Sequence, residues 1–173
     1  PQGKWSFFWV TEFPMFEYGE DDWGNTRLYA KHHPFTCPMD EASDMLATTP
    51  QKMRAKAYDM VPNGPELGGG SIRIHRPEVQ QAVFQALGFT QEELEAQFGH
   101  LINAFKYGAP PHGGIAFGLD RIVMHLAGTE SIQDVVAFPK TQQASDLMMD
   151  CPSPVDPKQL EILSIKTDLK KSE

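Results

Sequence analysis

Three consecutive glycines, Gly68-Gly69-Gly70, precede the run Ser71-Ile72-Arg73-Ile74-His75. The run is β-branched at alternate positions, so a strand is expected over Glu66 to His75. Each glycine inside a strand costs roughly 0.5–1 kcal/mol relative to alanine. A fold keeps such a run where something must approach the backbone closely. Alternation places Ser71, Arg73 and His75 on one face and the two isoleucines on the other. An arginine on a central strand calls for a carboxylate. That carboxylate is either another side chain of the chain or part of a bound substrate gripped by the guanidinium fork.

A second strand is expected over Ala55 to Val61, joined to the first through Asn63-Gly64, a tight-turn signal flanked unusually by Pro62 and Pro65. Hairpin pairing would bring Asp59 and Glu66 to one end. Two such carboxylates suit Mg²⁺, which keeps water and phosphate among its ligands. The competing reading is two edge carboxylates facing solvent.

Gly113-Gly114-Ile115-Ala116-Phe117-Gly118-Leu119-Asp120-Arg121 is a short apolar strand turning into a helix. Its glycines leave a flat backbone face for a planar ring. The helix start offers free N–H groups and a positive dipole end, and Arg121 adds a planar cation suited to phosphate. Neither Walker nor Rossmann spacing is present. The alternative is a turn glycine and a surface arginine paired with Asp120 or Glu130. His32 and His33 are adjacent, so they cannot face the same way on a strand. One of them could hydrogen-bond a small polar ligand from a loop, or both could face solvent.

The remaining elements are read by periodicity. Trp5 to Phe13 suits a strand buried on both faces. Glu17 to Asn25 reads as an acidic turn region, and Thr26 to Lys31 as the returning strand. A short helix is expected over Asp40 to Ala47. Longer helices follow from the stripes Val79, Ala82, Val83, Ala86, Leu87 and Leu94, Phe98, Leu101, Ile102, Phe105. Thr90 and Glu93 form a capping box for the second. Leu119 to Ala127 continues as a helix ending at Gly128, and Val135 to Phe138 is expected as a last short strand.

A chain of 173 residues can bury one core. The net charge of −8 argues against nucleic acid as the dominant contact of this segment. No apolar run approaches the length of a membrane span. Cys37 and Cys151 are too few for a zinc site and fit a reducing compartment. The opening Pro1-Gln2-Gly3-Lys4 shows no signal peptide and no initiator Met, and reads as a cut through a longer protein or a processed end. Lys166 to Glu173 reads as a solvated tail.

Taken in order, several blocks resemble the bacterial-type aspartyl-tRNA synthetases. They are Phe13-Pro14-Met15-Phe16, His32-His33-Pro34-Phe35-Thr36, Tyr58-Asp59, Asn63 to His75, Tyr107 to Gly114, Gly118 to Arg121, and Ala137 to Thr141. Gly113 to Arg121 looks like motif 3 of the class II synthetases. The resemblance implies an α+β fold, a mostly antiparallel sheet flanked by helices. It implies that residues 1–173 are the C-terminal portion of the catalytic domain, after the insertion domain, with the anticodon-binding and insertion domains and motifs 1 and 2 outside the chain. It implies an aspartate–tRNA ligase using ATP and Mg²⁺, working in the cytoplasm as a homodimer, and a fragment inactive alone.

The same resemblance assigns roles. Arg73 resembles the arginine that pairs with the side-chain carboxylate of L-aspartate. His32, and with it His33, resembles the loop histidine that closes over it, and Ser71 lines the pocket. Glu66 resembles an ATP ligand acting through magnesium, with Asp59 its companion. Gly118, Leu119, Asp120 and Arg121 resemble the ATP-binding floor, with Arg121 on the γ-phosphate. Arg73, Arg121 and Glu66 form the catalytic set. The tRNA would be met through the full-length enzyme. Two other readings compete: a non-catalytic binding module, and a class II ligase for asparagine or lysine.

Overall fold

The computed structural model describes residues 3–40 and 44–168. The chain divides into two units, Pro1–Leu119 and Asp120–Glu173.

The first unit is built on an antiparallel four-stranded sheet. Its strands are β1 (Phe7–Thr11), β4 (Ala57–Pro62), β5 (Gly68–Ile72) and β6 (Gly113–Phe117), in the order β1-β4-β5-β6. A separate hairpin joins β2 (Phe16–Glu20) to β3 (Thr26–Ala30). Register places Asp59 opposite Gly69, Gly69 opposite Ala116, and Ser71 opposite both Ala57 and Gly114. Directly opposed residues share a face. One face of β4-β5-β6 is therefore small and polar: Ala57, Asp59, Gly69, Ser71, Gly114 and Ala116. The other carries Tyr58, Met60, Ile72, Ile115 and Phe117, with Trp9 edge-on to Tyr58.

Helix α2 (Pro77–Ala86) starts on Pro77, whose missing N–H is harmless at a helix start. Helix α3 (Gln91–Phe105) carries the expected capping box: Thr90 Oγ1 accepts from the Glu93 N–H, and the Glu93 carboxylate accepts from the Thr90 N–H. Met15, Phe16, Cys37, Leu46, Met53, Ala55, Ile74, Val79 and Val83 form the core beside these elements. Phe35, Phe84, Phe89 and Phe98 make an aromatic cluster with ring centroids 5.2–6.2 Å apart.

Several expectations are corrected. β1 is an edge strand, and Phe7 and Trp9 are 57% and 53% exposed, so it is not buried on both faces. Aromatic content reports a strand but not what covers it. Phe16 to Glu20 is a strand, not a turn region: exposed Glu17 and Glu20 lie on opposite faces, so no clean apolar–polar alternation marks it. The Asn63-Gly64 pair opens a loop of five residues between β4 and β5 instead of a two-residue turn. Asn63 takes φ 56° there. Its side chain accepts from the Ser6 N–H at 2.8 Å and donates to the Lys4 carbonyl at 3.2 Å, which ties the loop to the chain ahead of β1. β5 is shorter than expected, leaving Glu66 in the loop and Arg73 just past the strand. The helix expected from Asp40 is reduced to α1, Met45–Thr48; residues 41–43 lie outside the described residues.

Helix α4 (Leu119–Ala127) follows β6 after Gly118, lies in the second unit from Asp120 onward and ends at Gly128, φ 72°. No strand forms over 135–138; a 3₁₀ turn precedes it at Ile132–Asp134, capped by Ser131 Oγ. A last helix, α5 (Pro157–Ile162), begins on Asp156, whose carboxylate accepts from the Lys158 N–H at 2.9 Å. Residues 169–173 of the expected tail lie outside the described residues.

Candidate active site

The small, polar face of β4-β5-β6 is where the candidate residues of the first unit gather. Asp59 projects from β4, and Glu66 reaches the same place from the loop before β5. A Cβ built on Gly69 would overlap Asp59 Oδ1 and come within 3.1 Å of Glu66 Oε1. The two carboxylates thus converge over Gly69, the one of the three strand glycines whose Cβ would meet them. That is the physical reason for glycine at position 69. Among the described residues no third acidic, histidine or cysteine side chain joins them. Two hard oxygens with open positions fit a magnesium ion that completes its shell with water and phosphate.

The other glycines have different causes. A Cβ on Gly70 would run into the Gly114 carbonyl, and one on Gly68 into Phe117 and the Ala116 carbonyl. Close approach of β6 to β5 requires both. Tyr58, paired with Gly70, donates its hydroxyl to that Gly114 carbonyl at 3.1 Å. Gly114 is unlike them, because a Cβ there meets nothing within 4 Å among the described residues. The fold does not need that glycine, and the space over it is open.

Arg73 leaves the end of β5 on the same parity as Gly69 and Ser71. Its backbone bridges Thr36, and its N–H donates to the His112 carbonyl at 2.9 Å. Its side chain is half-buried and lies against the His33 ring: Nη1 is 2.9 Å from Nδ1 and also contacts Nε2. Burial first, then the positive charge of Arg73, then that of His32, bring the His33 pKa down from 6.5 to about 4. The ring is therefore neutral at physiological pH, which lets it sit beside a cation. No carboxylate of the described residues pairs with Arg73. Ser71 is 3% exposed, and its hydroxyl has no hydrogen-bond partner among the described residues.

The two histidines separate. His33 faces Arg73, while the exposed His32 stands edge-on to Phe13 at 5.0 Å. Proximity to Arg73 thus favours the second histidine of the pair over the first. Gly118 closes β6 by donating its N–H to the Leu67 carbonyl at 2.9 Å, next to Glu66. Leu119 starts α4 and is 71% exposed, and Asp120 and Arg121 occupy its first turn in the second unit. Gln80 on α2 was given no role by sequence. It is 2% exposed, and its amide donates to the Pro34 carbonyl at 2.8 Å. Only its polar type within an apolar stripe could have flagged it.

Comparisons with known proteins agree in direction. Residues 1–142 match the family model of class II tRNA synthetases for D, K and N. The chain is 57% identical over 168 residues to an aspartate–tRNA(Asp/Asn) ligase of Caldanaerobacter subterraneus subsp. tengcongensis, covering 97% of this chain and 28% of that protein. It is 56% identical over 172 residues to an aspartate–tRNA ligase of Macrococcus caseolyticus, covering 99% of this chain and again 28% of the relative. The chain thus spans little more than a quarter of the length of these curated relatives. Among solved structures, the aspartyl-tRNA synthetase of Entamoeba histolytica superposes with a TM-score of 0.56 at 26% identity, covering 79% of this chain and 23% of that one. An asparaginyl-tRNA synthetase of the same organism, at 20% identity and a TM-score of 0.54, shares the fold. The α+β architecture, the family model and the relatives together show that this chain belongs to the class II tRNA synthetases of the D, K and N group.

Proposed function

We propose that this chain supplies the amino-acid selector and part of the ATP site of an aspartate–tRNA ligase. The observation that carries the reading is Arg73: a half-buried guanidinium beside a neutral imidazole, with no carboxylate partner among the described residues. A buried cation left unpaired is costly, and the side-chain carboxylate of L-aspartate would supply the missing charge. Asparagine offers a neutral amide instead and leaves the guanidinium uncompensated. The curated relatives named as aspartate ligases support the same choice over an asparagine or lysine ligase.

In this reading Ser71, with its unpartnered hydroxyl, lines the aspartate pocket. Asp59 and Glu66 would hold Mg²⁺, which when bound neutralises phosphate charge. Within the first unit Gly114, Ala116 and Gly118 would form a flat floor for the ligand; in the second, Arg121 is the residue that the resemblance assigns to the γ-phosphate of ATP. The aspartate α-carboxylate attacks the α-phosphorus, and pyrophosphate leaves. The terminal ribose hydroxyl of tRNA then takes the aspartyl group, and AMP leaves. The chain's residues position the reactants and balance charge, and no protein nucleophile is required.

The remaining assignments follow the resemblance read from the sequence motifs. In this reading the chain is the C-terminal part of the catalytic domain of a cytoplasmic, homodimeric parent enzyme, which meets tRNA through its full length. No helix among the described residues is long and apolar enough to cross a membrane. The isolated chain is expected to form no aspartyl-adenylate. In the full-length enzyme, Arg73→Ala should abolish aspartate-dependent pyrophosphate exchange; an unchanged rate would refute the reading.

A further inference from the structure

We infer that Gln80 is a positioning residue for the aspartate selector, acting through the backbone of the His32-to-Thr36 loop. The inference rests on the reading of Arg73 and His33 given above. Glutamine is mostly found at surfaces, so a helix glutamine that is 2% exposed asks for a reason. Its orientation is fixed by chemistry: the Pro34 carbonyl only accepts, so the Gln80 Nε2 must face it, at 2.8 Å. The Oε1 atom is left without a partner among the described residues. One half of a buried amide is thus sacrificed to hold one loop carbonyl. Pro34 directly follows His33, the residue seated on Arg73.

A second anchor from the same helix face supports this. Phe84, one turn beyond Gln80, meets the ring of Phe35 edge-on at 6.2 Å, and Phe98 of α3 meets it at 5.4 Å. The loop is also stitched to the segment just past β5 by the Ile74 N–H, which donates to the Phe35 carbonyl at 2.9 Å. Aromatic contact and backbone bonds hold Phe35. The Gln80 amide holds the carbonyl between Phe35 and His33. The N–H of the same peptide, that of Phe35, donates to the His33 Nδ1 at 3.1 Å, so the Gln80 amide ties to α2 the very peptide that holds the His33 ring against Arg73.

The test uses the full-length enzyme and aspartate- and ATP-dependent pyrophosphate exchange. Gln80→Met keeps length and removes the donor. It should raise KM for aspartate about tenfold, the scale of one orphaned buried hydrogen bond, and leave KM for ATP within about twofold. Gln80→Glu adds a readout that a purely structural role would not move. Protonated, the new carboxyl donates to Pro34; ionised, it cannot. Its charged neighbours would be Arg76, one turn back, and Lys106, which lines the same groove. The variant's aspartate KM, relative to wild type, should be near normal at acidic pH and rise with pH.

Equal rises in both KM values for Gln80→Met, or a pH-independent ratio for Gln80→Glu, would overturn the inference. Should Gln80→Met fail to fold, the Gln80→Glu profile decides alone. Arg73→Ala run in parallel separates the two ideas. If Arg73→Ala abolishes aspartate use while Gln80→Met leaves aspartate KM unchanged, only the role of Gln80 falls. If Arg73→Ala leaves aspartate use intact, the reading of the site falls with it.

Discussion

Gly114→Ala separates what the fold needs from what a ligand needs. A methyl group at this position meets nothing within 4 Å, and the backbone there has no positive φ. Its effect on folding should be neutral or favourable, by about 0.4–1 kcal/mol, because alanine restricts the unfolded chain. Its effect on the site should be the reverse. The added carbon stands on the small, polar face opposite Ser71, where the proposed floor lies. A ligand lying flat there would be lifted off its contacts. Inserting one methyl into a fitted interface costs typically about 1–3 kcal/mol, or roughly 5- to 150-fold in affinity. The assay is paired: thermal unfolding of the full-length enzyme without ligand, and KM for ATP and aspartate by pyrophosphate exchange. An unchanged or raised Tm with at least a fivefold rise in one KM is expected. A lowered Tm, or both KM values unchanged, would refute the assignment of Gly114 to a ligand floor.

Gly69→Ala should instead act through the carboxylates, since its methyl would displace Asp59 Oδ1 and crowd Glu66 Oε1; the magnesium concentration giving half-maximal exchange should rise. Gly70→Ala should damage the fold itself, by about 3 kcal/mol in urea unfolding, because the obstacle is the Gly114 backbone, which cannot rotate away. The His33 pKa of about 4, against 6.5 in the unfolded chain, means that the unfolded state takes the proton first as pH falls. Stability should therefore decline between about pH 6.5 and 4, by about 1 kcal/mol once solvent screening of a half-exposed ring is allowed for. His33→Ala should flatten that part of the profile.

Local pattern carried most of the elements. The capping box at Thr90 and Glu93, Pro77 at the start of α2 and Gly128 after α4 are short-range signals and appear where the sequence places them. The first strand shows the limit. Trp5 to Phe13 has strand composition, but its edge position is a property of the whole sheet, set by partners some fifty residues away. The site divides in the same way. Convergence of Asp59 and Glu66 follows from hairpin pairing, although the loop is longer than Asn63-Gly64 suggests. The choice of His33 over His32 depends on which ring the loop turns toward Arg73, and no local pattern encodes that. Gln80 was invisible because a glutamine in an amphipathic helix ordinarily marks the wet face; here it marks the side that holds the loop.

The central claim is that Arg73 selects the side-chain carboxylate. Its most direct test compares aspartate and asparagine as substrates for pyrophosphate exchange in the full-length enzyme and in its Arg73→Ala variant. The account predicts that kcat/KM for aspartate falls by about a thousandfold or more while that for asparagine falls far less, so that discrimination collapses. Equal losses for both substrates, with the ratio between them preserved, would contradict it.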